Sequence, residues 1–206
     1  DWPTHKKQCT LSHANNIREA RREYGKDDKE VAIASFKAGC ALQEQGRYKD
    51  AERCFLEARR IAMEERHGDG SEVAGIISDA LGCLHADMGR HDEALSEFHE
   101  GLRIARNTNG ERSHEAASAL FRIGRSLAQK NHHEEALLKL EEAHSIFKET
   151  VGPDHWQVGR ILATTGVCYR EMGRLDEARA AYEEALRIHR TTSGDDSEEG
   201  AITLNN

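Results

Sequence analysis

The residues best suited to chemistry stand at the start of the 206-residue chain. In Trp2-Pro3-Thr4-His5-Lys6-Lys7-Gln8-Cys9, an imidazole and a thiol lie four residues apart. On a short helix that spacing points both side chains the same way, so His5 and Cys9 could share one tetrahedral zinc ion. Two donors do not close a structural zinc site, and these residues alone are expected to hold no metal stably. The other reactive side chains are scattered. His85, His99, His144 and His189 occur singly on amphipathic stretches and read as surface or groove residues. His132-His133 precede Glu134-Glu135 and read as a solvated helix start. Trp156 sits in a polar stretch, where local packing accounts for it. There is no HExxH pair, no glycine-rich loop ending in Gly-Lys-Ser/Thr, and no nucleophile beside a base. No catalytic activity is expected.

Composition excludes further classes. The 37 acidic and 29 basic side chains leave a net charge of −8, which opposes wholesale binding to a phosphate backbone. No run approaches the ~18 consecutive apolar residues of a membrane span. Five cysteines, an odd number without a CxxC pair, do not form a disulfide framework, so a reducing compartment, cytoplasm or nucleus, is expected. Few prolines and many Ala, Glu, Arg and Leu favour helix over strand.

The elements that must position these residues repeat. Gly68, Gly110, Gly152 and Gly194 are spaced by 42 residues. Gly39, Gly82, Gly124 and Gly166 form a second series, and Ala51, Ala94, Ala136 and Ala178 a third. Gly46, Gly89, Asn131 and Gly173 form a fourth, and bulky Phe55, Phe98, Leu140 and Tyr182 a fifth. The fourth series marks points where helical periodicity stops and restarts. A left-handed residue is wanted there; Gly takes that conformation freely and Asn tolerates it. The second series falls inside helices, where Gly costs ~1 kcal/mol relative to Ala. Its recurrence implies a close helix–helix contact, with the alanine series as the small partner.

These spacings predict an all-α chain of stacked antiparallel helix pairs, an α-solenoid. First helices are expected over 31–45, 72–88, 114–130 and 155–172. Second helices are expected over 48–66, 91–107, 133–149 and 175–191. Residues 11–30 read as a partial earlier unit, with a second helix over 11–24 and a loop at Gly25-Lys26-Asp27-Asp28. Residues 201–206 read as the start of a further helix. Stacking buries a continuous core that no single unit could bury alone.

The run Leu81-Gly82…Gly89-Arg90…Glu93-Ala94…Phe98 resembles the tetratricopeptide repeat. So does Gly166…Tyr169…Gly173-Arg174-Leu175-Asp176-Glu177-Ala178…Tyr182…Ala185-Leu186. The usual repeat has 34 residues. The longer period here is similar to the kinesin-light-chain-like subtype, with repeats at about 31–72, 73–114, 115–156 and 157–200. The resemblance implies a superhelix that binds peptides along a concave groove lined by first helices, without catalysis. Groove residues implied in this way are Phe36 and Cys40 in repeat 1, Asp79 and Cys83 in repeat 2, Phe121, Arg122 and Arg125 in repeat 3, and Arg160, Thr164 and Arg170 in repeat 4, with Ile33, Gln43, Glu44, Ile76, Asp87, Ser118, Gln129, Val167 and Glu171 on the same faces.

Charge along that groove is uneven. Arg122, Arg125, Arg160 and Arg170 fall in repeats 3 and 4, whereas Glu44, Asp79 and Asp87 fall in repeats 1 and 2. Arginine suits bidentate recognition of carboxylate, so an acidic peptide segment is expected over repeats 3 and 4. The alternative is that these arginines pair with nearby glutamates and only solubilise the helices. The carboxylate clamp for chaperone tails needs Lys and Asn where this chain has Phe36, Cys40, Ala80 and Ser118, so that ligand is not expected.

Trp2, His5 and Cys9 together resemble the last segment of a MYND zinc finger. The resemblance implies that His5 and Cys9 are the final two zinc ligands of residues 1–10, with zinc held only in a complete parent finger. The whole is expected to be an interaction scaffold whose partner is a protein or peptide, with no nucleic acid and no membrane. The alternatives are a fragment of a MYND-containing SET-type lysine methyltransferase, or the sensor arm of a larger signalling protein.

Overall fold

The computed structural model describes residues 15–25, 29–64 and 72–193, and every element in them is helical. The metal-ligand pair His5 and Cys9, and the helix expected over 201–206, lie outside the described residues. The chain divides into two compact units, Asp1–Thr108 and Asn109–Asn206.

In the first unit α1 (15–23) is followed by the pair α2 (Lys29–Glu44) and α3 (Tyr48–Glu64), then α4 (Glu72–Asp87) and α5 (His91–Asn109). The second unit holds the pairs α6 (His114–Gln129) with α7 (His133–Thr150) and α8 (Trp156–Glu171) with α9 (Leu175–Ser193). These bounds agree with the sequence-based helices to within about two residues, the usual scatter of helix ends. Of the helix expected over 11–24, residues 15–23 are helical, and 11–14 lie outside the described residues. In each unit the first helices of successive pairs touch, α2 with α4 and α6 with α8, and the second helix of one pair packs on the first helix of the next.

The turns inside the pairs are built alike. Gly46, Gly89, Asn131 and Gly173 have φ of 72°, 72°, 62° and 75°. The next backbone N–H reaches back five residues in each case: Arg47 to the Leu42 carbonyl at 2.9 Å, Arg90 to His85 at 2.8 Å, His132 to Leu127 at 3.0 Å and Arg174 to Tyr169 at 2.9 Å. This is the Schellman arrangement, which satisfies carbonyls that the helix end would otherwise leave open. The residue after each turn also pairs with an acid three positions on. Arg47 meets Asp50 at 2.5 Å, Arg90 meets Glu93, His132 meets Glu135 at 3.8 Å and Arg174 meets Glu177. The acids fall in the first turn of the second helix, where the helix dipole favours negative charge.

The in-helix glycines do form a close contact, but the alanine series is not the principal partner expected from sequence. A Cβ added at Gly39 would meet the Phe55 ring, at Gly82 the Phe98 ring, at Gly124 the Leu140 side chain and at Gly166 the Tyr182 ring. Only at Gly124 does the matched alanine enter, through the Ala136 carbonyl. The bulky residue on the second helix lies over the gap that glycine leaves on the first. Phe55, Phe98 and Leu140 are thereby almost fully buried. Around Phe55 the core continues through Leu42, Ala51, Ala58, Ala62, Ile77, Leu81 and Leu84. A second cluster, Val31, Ala32 and Ile61, is covered by Ala20 of α1.

Two histidines expected at the surface or in the groove are interior instead: His85 is 6% and His189 2% exposed. Both lie on helix faces that pack within a hairpin or between hairpins, a position a single histidine in an amphipathic stretch does not reveal.

Candidate peptide-binding face

In the second unit the first helices bring part of the expected set together. Ser118, Phe121 and Arg122 of α6 meet Trp156, Gln157 and Arg160 of α8 around a cleft of about 110 Å³, with Phe147 of α7 also lining it. Ser113 caps α6, its Oγ accepting from the Ala116 N–H at 3.1 Å, and so sets the start of that helix. The cap of α8 is His155, whose Nδ1 accepts from the Gln157 N–H at 3.4 Å. That cap makes Trp156 the first residue of α8, so it is not part of the loop. With Arg160 four residues on, both fall on one helix face. The Arg160 guanidinium lies 5.2 Å from the Phe121 ring centroid and 5.4 Å from that of Trp156, within cation–π range of both. The His155 ring is tilted against the Trp156 indole, with centroids 5.6 Å apart.

Hydrogen bonding orients the far wall. His114 Nε2 lies 3.0 Å from Gln157 Oε1, and the imidazole stands edge-on to Phe147 with centroids 5.2 Å apart. With that oxygen accepting from His114, Gln157 keeps its NH₂ as a donor.

The remaining expected residues of this unit play different parts. Arg125 lies one turn further along α6, outside the cleft lining; its Nε is buried with no hydrogen-bond partner among the described residues. Thr164 donates its hydroxyl to the Arg160 carbonyl at 3.0 Å, so its proton serves the backbone of α8. Arg170 pairs with Glu171 at 2.9 Å, and that hydrogen bond raises the guanidinium pKa above its ordinary value. For Arg170, then, pairing with a neighbouring acid is what the structure shows.

In the first unit the corresponding face is apolar and acidic. Phe36 and Cys40 are half-buried against the core, and the Phe36 ring lies 5.6 Å from that of Phe55. Burial, followed by the nearby Glu44 charge, raises the Cys40 thiol pKa. Asp79 and Cys83 are half-buried on α4. Gln43 Nε2 donates to Asp87 Oδ2 at 2.7 Å and ties α2 to α4.

Sequence reasoning missed a charged cluster joining the first unit's hairpins. Glu52 of α3 accepts from Arg90 at 2.8 Å and lies 3.0 Å from the buried His85 Nε2. Burial pushes the Glu52 carboxyl up, but the hydrogen bonds from His85 and Arg90 outweigh it and leave the carboxyl below its ordinary range. Arg59 and Glu97 pair between α3 and α5 at 2.7 Å. Among the described residues no group of three or more His, Cys, Asp or Glu could hold a metal ion. No described helix is long and apolar enough to cross a membrane.

Stacked antiparallel helix pairs with glycine-seated rings and repeated Schellman turns define a helical repeat protein. The tetratricopeptide repeat family matches residues 72–149, 139–191 and 157–206, with a further match over 38–70; the chain belongs to that family. No curated protein sequence matches the chain. Among solved structures, BtubC (BKLC) from P. vanneervenii is similar with a TM-score of 0.84 and 22% identity, over 97% of this chain and 80% of that one. A putative kinesin light chain with nearly identical repeats, from Podosopora anserina, matches at 0.74 and 14%, over 91% and 88%. The Rap conjugation gene regulator of plasmid pLS20, in complex with the Phr* peptide, matches at 0.72 and 21%, over 99% of this chain and 54% of that one. At these identities the likeness is one of fold.

Proposed function

We propose that the chain is a non-catalytic binding scaffold that holds an acidic segment of a partner polypeptide on the first-helix face of its second unit. The observation that carries this is the polar lining of the cleft: Arg122, Arg160, Ser118 and Gln157, without a carboxylate among them. Arg125 extends the positive charge along α6, its buried Nε unpartnered among the described residues. Guanidinium groups held beside aromatic rings are partly desolvated, which strengthens their attraction for an incoming carboxylate. The Rap regulator of similar fold, solved with a peptide, supports a polypeptide ligand for this architecture.

The repeat matches run from residue 38 to residue 206 and cover α3 to α9 with the second half of α2, which favours a scaffold over a methyltransferase fragment. The zinc-finger reading of His5 and Cys9 rests on their spacing and on Trp2. Two donors do not complete a tetrahedral site, and no part of the proposed binding uses zinc.

The test is fluorescence anisotropy with labelled peptides rich in Asp and Glu, beside the same peptides carrying Asn and Gln. Binding should require the acids and weaken steeply with added salt, because exposed charge pairs are screened. The single variants Arg125→Glu and Arg160→Glu should each lower affinity by about tenfold or more. Equal binding of acidic and amide peptides would remove the proposal.

A further inference from the structure

We infer that the cleft bounded by Phe121, Trp156, Arg122 and Arg160 is a specificity pocket that takes one carboxylate side chain, Asp or Glu, from the bound segment. This rests on the acidic-peptide reading and goes beyond it. Diffuse attraction to arginines makes acids interchangeable along the peptide, whereas a pocket makes one position dominate.

Three features select the occupant. The first is size. At about 110 Å³ the cleft is smaller than the ~300–1,000 Å³ pockets that take whole small molecules, so it suits part of a single residue. One acidic side chain, with its one or two methylenes and carboxylate, is a ligand of that scale. The second is hydrogen-bonding sense. Arg122 and Arg160 can only donate, Gln157 offers its NH₂ because its oxygen faces His114, and the Ser118 hydroxyl can donate. An acceptor-only group satisfies such a lining, whereas a lysine or an amide brings donors of its own. The third is shape. The Phe121 and Trp156 rings bound the cleft from α6 and α8, and both hold the same guanidinium within cation–π range. A planar carboxylate can meet a guanidinium edge-on, with two parallel hydrogen bonds, between such walls.

The position of Trp156 makes the pocket observable. It is 40% exposed at the first turn of α8, so an occupant beside it displaces water from the indole. The probe is the tightest binder from a dodecapeptide library doped with Asp and Glu, measured on the full chain. Each acid of that peptide is replaced in turn by its amide, and each by phosphoserine. A chain carrying Trp2→Phe leaves Trp156 as its only tryptophan. One acid should dominate, its amide losing about tenfold or more in affinity as expected for a charge-assisted hydrogen bond, while the other amides lose little. Binding should shift Trp156 emission only when that acid is present. In Trp156→Leu, checked for helix content by circular dichroism, the dominance of that position should disappear while salt-sensitive binding persists.

Uniform losses across all positions, or an unchanged Trp156 emission on saturation, would overturn the pocket and leave the acidic-peptide reading standing. Tighter binding with phosphoserine at the dominant position would overturn the carboxylate assignment. If no acidic peptide binds at all, the broader reading falls with it.

Discussion

Gly39 of α2 lies so close to Phe55 of α3 that a Cβ added to the glycine would sit 2.5 Å from the ring's Cε1. The contact recurs between Gly124 and Leu140, where the added Cβ would meet Cγ at 2.8 Å, and between Gly166 and Tyr182, where it would meet Cε1 at 2.7 Å. Each helix pair is thus held together by an absent side chain on one helix and a large one on the other. Glycine inside a helix costs about 1 kcal/mol relative to alanine, and burial of a large ring contributes about 1.5–3 kcal/mol, so the exchange favours the close pair.

Gly39→Ala should therefore destabilise the chain by about 1–2 kcal/mol despite alanine's better helix propensity, because overpacking costs about 1–3 kcal/mol. The double variant Gly39→Ala with Phe55→Leu should show a favourable coupling, the smaller side chain relieving part of the clash. Gly101 is the control. Its added Cβ would lie 3.8 Å from the Gly75 carbonyl and 4.0 Å from Ser78 Cβ, ordinary contact distances. Gly101→Ala should stabilise by about 0.5–1 kcal/mol. Urea unfolding followed by circular dichroism measures all of these variants; a Gly39→Ala chain as stable as the parent would contradict the packing described.

Much of this architecture was legible because each repeat states the same rule again. Asn131 stands among three glycines at matching turns, and its φ of 62° shows why only a residue tolerant of left-handed backbone replaces them. The in-helix glycines announced a close contact, but one-dimensional spacing could not say which neighbour filled it. Alanine at position 51 and phenylalanine at position 55 lie on the same face of α3, and the long side chain reaches the gap first. The setting of Trp156 was hidden for a different reason. The helix expected over 155–172 already contains Trp156, but the loop-like run Pro153-Asp154-His155 masks the cap at His155 that fixes the helix start and sets Trp156 one turn before Arg160. The Glu52–His85–Arg90 cluster joins positions 33 and 38 residues apart, offset from the repeat period, and emerges only once the hairpins are packed.

Glu52 makes the first unit sensitive to acid. Its carboxyl pKa is lowered in the folded chain because the bonds from His85 and Arg90 outweigh burial. A lowered folded pKa means stability that is present above the unfolded value and is lost as pH falls through the folded one. Glu52→Gln should cost about 1–2 kcal/mol at neutral pH, where Arg90 and His85 lose a charged acceptor. The gap between parent and variant should narrow steadily below about pH 4, the ordinary range for a glutamate carboxyl. Urea midpoints measured across that range test this; a gap independent of pH would show that Glu52 contributes by packing alone.

Cys168 should be the least reactive of the described cysteines. It is fully buried in α8, and burial pushes its thiol up to about 11, so little thiolate exists near neutrality. Cys40 and Cys54 are half-buried, and burial raises their thiols as well. Maleimide labelling of the native chain, read by peptide mass spectrometry, should modify Cys40 and Cys54 well before Cys168, with the difference vanishing in denaturant. Labelling of Cys168 at an equal rate would mean that the α8–α9 pair opens readily.

The central claim is that positive charge on α6 and α8 selects acidic polypeptide, and a charge exchange tests it most directly. A chain carrying Arg125→Glu and Arg160→Glu is titrated with one Glu-rich peptide and with its Lys-rich counterpart, beside the parent chain. The parent should bind only the Glu-rich peptide, and the exchanged chain should lose that binding and take up the Lys-rich one. Undiminished binding of the Glu-rich peptide by a folded exchanged chain would contradict the account.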